Sequence, residues 1–134
     1  MATIRVSFGL NSADVMSSTL NISTSINLNA DAGSMIRAKV AQTAVNANAL
    51  VVYKADDKLT SAYLYVQNLD LEKENFIYIY QDTDNDDLVA KIGGGEFAFI
   101  PVAVDKTFKC FATRVDQMVE YGVFGLDSSA VTLA

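Results

Sequence analysis

Between Ala62 and Phe124 the chain breaks into short runs of alternating or continuous apolar residues, each closed by a polar or glycine-rich stretch. At the centre stand Asn75-Phe-Ile-Tyr-Ile-Tyr80, an acidic run Gln81-Asp-Thr-Asp-Asn-Asp-Asp87, then Leu88-Val-Ala-Lys-Ile92, Gly93-Gly-Gly95 and Glu96-Phe-Ala-Phe-Ile-Pro-Val102. Runs of four to eight residues, rich in β-branched and aromatic types and punctuated by turn formers, are strands. The spacing predicts a meander of antiparallel strands joined by tight loops.

The rest of the chain extends that pattern. Thr3 to Phe8 alternates Ile4, Val6 and Phe8 against Thr3, Arg5 and Ser7, the signature of a half-buried strand. Ser18 to Leu28 places Leu20, Ile22, Ile26 and Leu28 inward, with Thr24 interrupting that face, so a long strand or a bulge near Thr24 is expected. Strands are also expected over Met35 to Ala41, Ala49 to Tyr53, Thr60 to Gln67, Thr107 to Thr113 and Gln117 to Phe124. Residues 42–48 read as a loop. The run from Thr60 to Gln67 is apolar or aromatic on both faces, which suits a central strand or an interface. The expected fold is an all-β antiparallel β-sandwich or jelly-roll-like barrel of about nine or ten strands. All 134 residues fit a single β-sandwich domain with short N- and C-terminal arms, the latter from Gly125 to Ala134.

Charge and composition narrow the partners. Ten basic and sixteen acidic residues leave a net charge of −6, and the basic ones are scattered, which argues against nucleic acid and anionic membranes. No apolar run is long enough to cross a bilayer, and Met1 to Leu10 lacks the long apolar core of a secretory signal. The sequon Asn21-Ile-Ser23 is therefore read as unmodified. A chain that is 51% hydrophobic and only 19% charged carries more apolar surface than a small monomer easily hides, so a homo-oligomer is expected.

The absence of histidine removes Ser-His-Asp and Cys-His nucleophile sites and the usual imidazole ligands. Cys110, between Lys109 and Phe111, reads as a buried structural thiol. Paired carboxylates from Asp82, Asp84, Asp86, Asp87 and Glu96 could in principle serve glycoside hydrolysis, but most share one solvated loop, whereas a general acid needs burial to raise its pKa. The expectation is a protein that is not an enzyme. Asp82-x-Asp84-x-Asp86 resembles the first half of a calcium loop and is the one metal candidate. Asp87 and Gly93 stand where an EF-hand needs glycine and glutamate, so no cofactor is expected beyond adventitious or structural calcium. Gly93-Gly-Gly95 lacks the lysine and helix of a phosphate loop and reads as a turn.

The series Tyr63-Leu-Tyr-Val-Gln-Asn68, Phe76-Ile-Tyr-Ile79, Ile92-Gly-Gly-Gly-Glu-Phe-Ala-Phe-Ile-Pro-Val102 and Val119-Glu-Tyr-Gly-Val-Phe124 resembles small virion proteins of tailed bacteriophages, especially those of marine and cyanobacterial hosts. The resemblance covers about the C-terminal half and carries no site residues. It implies a β-sandwich building block of a phage particle, made in the host cytoplasm: a capsid decoration protein, or a neck, tail or fibre component forming a ring. The implied partners are further copies of the chain, in a trimer for example, and phage capsid or tail proteins. A carbohydrate-binding module on a tail device is the reading from another class. The expected interface residues are Tyr63, Tyr65, Tyr78 and Tyr80, together with the acidic loop and the terminal arms.

Overall fold

The computed structural model describes residues 2–30, 32–40, 49–81, 88–114 and 117–127. They form ten strands: β1 (Ala2–Ser12), β2 (Leu20–Ala30), β3 (Ala32–Val40), β4 (Leu50–Tyr53), β5 (Leu59–Asn68), β6 (Ile77–Gln81), β7 (Leu88–Ile92), β8 (Phe97–Val102), β9 (Phe108–Ala112) and β10 (Gln117–Asp127). The fold is all-β, and every ladder is antiparallel.

Eight strands make two four-stranded sheets, β3-β10-β5-β8 and β4-β9-β6-β7. The partners nest inward: β3 pairs with β10, β4 with β9, β5 with β8 and β6 with β7. That is one long antiparallel ribbon folded back at the β6–β7 connection and rolled up, closed by the ladders β10–β5 and β9–β6. Eight strands in this order are a jelly-roll sandwich. The expected meander is thereby corrected: of the strands in the two sheets, only β6 and β7 are both consecutive and adjacent, because each later strand returns to the partner the rolled ribbon assigns it.

The alternation in the sequence decides which side chains meet between the sheets. Ala62, Leu64 and Val66 of β5 point in, against Ile77 and Ile79 of β6, Phe108, Cys110 and Ala112 of β9 and Val119 of β10. Each large aliphatic buried there contributes about 1.5–3 kcal/mol of transfer free energy. As expected from its two apolar faces, β5 is a central strand, flanked by β10 and β8.

The first two strands stand apart as a two-stranded sheet. Their register runs unbroken from Ala2 opposite Ala30 to Ser12 opposite Leu20, so no bulge occurs at Thr24. The sequence pattern placed Ile22 and Ile26 inward, and this is corrected: both are exposed, because no second layer of described residues covers that part of the ribbon. Eleven residues per strand at about 3.4 Å each make it about 35 Å long. Among the described residues no helix is long and apolar enough to cross a membrane.

Candidate functional site

The four candidate tyrosines are split between the two sheets of the sandwich. Because Ala62, Leu64 and Val66 face inward, Tyr63 and Tyr65 stand outside on β5, beside the edge strand β8. Tyr63 stacks on Phe99 with ring centroids 5.8 Å apart, and Tyr65 lies 6.4 Å from Phe97. The Tyr65 hydroxyl donates to Gln67 Oε1 at 3.0 Å. Partial burial, with the nearby Glu120 carboxylate, raises its pKa above the usual phenol value. Phe97 completes the row with 63% of its surface exposed.

Tyr78 stands on β6, in the other sheet, stacked on Phe111 at 5.0 Å, with Lys91 Nζ 4.1 Å from the Phe76 ring centroid and 5.9 Å from that of Tyr78. Tyr80 is wholly buried, 5.8 Å from Phe111, where the ladder to β7 slips by one residue. It leaves the set of surface residues. Tyr63 and Tyr65 stand in one sheet and Tyr78 in the other, because β5 and β6 belong to different sheets. Asp82, Asp84 and Asp86 lie outside the described residues. Among the described residues no group of three or more Cys, Asp or Glu is placed to hold a metal ion.

The glycine run is a turn packed against protein. Gly93 N–H donates to Glu96 Oε1 at 2.7 Å and Gly95 N–H to the Asn68 carbonyl at 2.9 Å, so both donors are engaged. Gly95 has φ of 82°, and a side chain on Gly94 would strike the Glu72 carbonyl. Beneath the turn, Asn68 is buried and forms a hub: its Nδ2 donates to the carbonyls of Asn75 (2.7 Å) and Ile92 (3.0 Å), and its Oδ1 accepts from Asp70 N–H (3.0 Å). Gln117, also buried, adds a bond from Nε2 to the Asn75 carbonyl at 3.2 Å and accepts from Arg114 N–H at 2.9 Å. This network closes one end of the sandwich and fastens the crossover from β5 to β6. Neither Asn68 nor Gln117 stands out in the sequence, because a polar residue at a strand end carries no local mark of its burial.

The surface that sequence reasoning turned inside out is the ribbon β1–β2. Directly opposed residues share a face, so Ile4 with Leu28, Val6 with Ile26, Leu10 with Ile22, and Phe8 beside Thr24 form one apolar face. Phe8, Leu10, Ile22 and Ile26 are 47%, 45%, 46% and 58% exposed. The other face is Thr3, Arg5, Ser7, Gly9 and Asn11 opposite Asn29, Asn27, Ser25, Ser23 and Asn21. A groove of about 440 Å³ separates Val6 to Gly9 of β1 from Phe97 to Phe99 of β8. Alternate residues of a strand point to opposite sides, so a groove lined by consecutive residues of both strands runs between strand edges. No family model, curated protein or solved structure matches the chain.

Proposed function

We propose that this chain is a non-enzymatic structural protein of a bacteriophage particle, a capsid decoration protein that acts by burying surface against neighbouring subunits. The observation that carries the reading is the ribbon β1–β2, a long arm whose apolar side is open along its middle. Contiguous exposed apolar surface of this kind marks association sites. The jelly-roll order of the other eight strands is one that viral capsid and lectin domains share, which supports the reading by analogy alone. The likeness of the C-terminal half to phage virion proteins supports it too. Many modest interfaces repeated over a shell add, so a cement protein strengthens it without chemistry.

The test is co-sedimentation of the purified chain with emptied phage capsids, together with mass spectrometry of purified particles. Binding that saturates at a fixed ratio to capsid subunits is expected. A chain present in particles but not on shells would move the reading to a neck, tail or fibre ring, and a chain absent from particles would end it.

A second reading rests on Phe97, whose open ring beside Tyr65 could stack on a sugar. Loss of glycan retention in Phe97→Ala, with shell binding absent, would favour a carbohydrate-binding module.

A further inference from the structure

We infer that the ribbon β1–β2 is a self-association device: its apolar face packs against the same face of a second copy, so that two ribbons form a small two-layer sandwich outside the jelly rolls. The inference deepens the proposed structural role by naming the partner of that surface, and it rests on that reading only for its place in a particle.

The ribbon cannot be explained as a free element. An isolated two-stranded sheet is marginal in water at best, and independent stability needs a further layer. Alternation along both strands, apolar on one side apart from Thr24 and Ser12, and Ser, Asn and Thr with Arg5 and Gly9 on the other, is the pattern of an antiparallel sheet with one dry face and one wet face. Among the described residues nothing forms the dry layer over Phe8, Leu10, Ile22 and Ile26.

Two observations choose a second copy as the occupant. The first is charge. The chain carries −6 overall, yet residues 2–30 hold only Arg5 and Asp14, one charge of each sign, so the ribbon is the neutral part of an acidic molecule and the place where two copies meet without repulsion. The second is shape. Two copies of one ribbon carry the same twist, and sheets of like twist stack face to face at about 10 Å, the spacing that these Ile, Leu, Val and Phe side chains fill. A two-fold arrangement is closed and uses the patch up, so it does not propagate into fibres.

The test is the mass of the full chain by light scattering across a concentration series, for wild type and three single variants. Wild type is expected at twice the 14.5 kDa chain mass. Ile26→Glu, which puts a charge on the dry face, and the gentler Ile26→Ser are expected to give monomers or to weaken association at least about tenfold. Ser25→Glu places the same charge one residue away on the wet face and is expected to leave the dimer intact. A thermal midpoint and near-ultraviolet spectrum confirm that the jelly roll is retained in each. A monomeric wild type overturns the inference, as does a dimer indifferent to both Ile26 variants or dissolved equally by Ser25→Glu, or a trimer in place of the two-fold pair. The two readings fail separately. A wild-type dimer that ignores phage shells sinks the decoration role and keeps the pairing, whereas a monomer that binds shells keeps the role and sinks the pairing.

Discussion

Asn68 shows how much a single buried amide holds at the end of this sandwich. Its three hydrogen bonds tie Asn75, Ile92 and Asp70 to the last residue of β5. Asn68→Ala would leave two carbonyls and one N–H without those partners, and a loss of about 2–4 kcal/mol is expected, read from the denaturant midpoint. Beside it, the Asp70 carboxylate accepts from Glu72 N–H at 2.9 Å and from Asn75 Nδ2 at 2.9 Å. Chiefly the Glu72 N–H, then Asn75, hold its pKa below the usual carboxylate value. A lowered folded pKa contributes stability that is present above the unfolded value and lost as pH falls through the folded one. Asp70→Asn should therefore be less stable than wild type at pH 7, with the two thermal midpoints converging as pH drops below the ordinary carboxylate range. Cys110 is the opposite case. Burial pushes its thiol up to about 12, so it stays protonated at neutral pH, and a thiol reagent should modify it only on unfolding. Rapid labelling of the native protein would contradict its place between the sheets.

At the scale of elements, strand identity was legible and strand address was not. All ten strands follow from period-2 alternation and turn residues, because those depend on local side-chain chemistry. Which sheet receives each strand depends on long-range pairing. Thus Tyr65 and Tyr78, thirteen positions apart, look like neighbours in the sequence and stand on opposite faces in the fold. The direction of a face is equally hidden. Ile22 and Ile26 read as inward because alternation marks the apolar side without saying whether anything covers it. The polar hub was missed for a related reason, since Asn68 and Gln117 become buried only when the β5–β6 crossover folds over them. The Gly93 to Gly95 turn was legible, and its tolerance can be ranked. Gly95→Ala meets open space but a positive φ, costing about 1–2 kcal/mol. Gly94→Ala meets the Glu72 backbone and should cost more. A reversed order in chemical denaturation would show that the turn does not pack on the 70–74 segment.

For the whole molecule, the separation of a neutral ribbon from an acidic body sets how association responds to salt. Residues 2–30 hold one of the ten basic and one of the sixteen acidic residues, so the net −6 resides in the rest of the chain. If two copies met through charged surfaces of opposite sign, added salt would screen the attraction and dissociate them. Contact through the apolar side of β1–β2 has no ion pair to screen, and what salt does screen is repulsion between two acidic jelly rolls held on either side of the joined ribbons. The Debye length shortens from roughly 30 Å at 0.01 M to about 8 Å at physiological ionic strength. Across that range body–body repulsion is largely removed while the ribbon contact is untouched. Dimerisation should therefore tighten as sodium chloride rises from about 0.01 to 0.15 M, and Ser25→Glu, which adds one more like charge per copy near the contact, should show the steeper gain. Sedimentation equilibrium at several salt concentrations reads both slopes. Weakening of the wild-type dimer by salt would mean that the copies meet through charged surface on the jelly rolls and not through the ribbon.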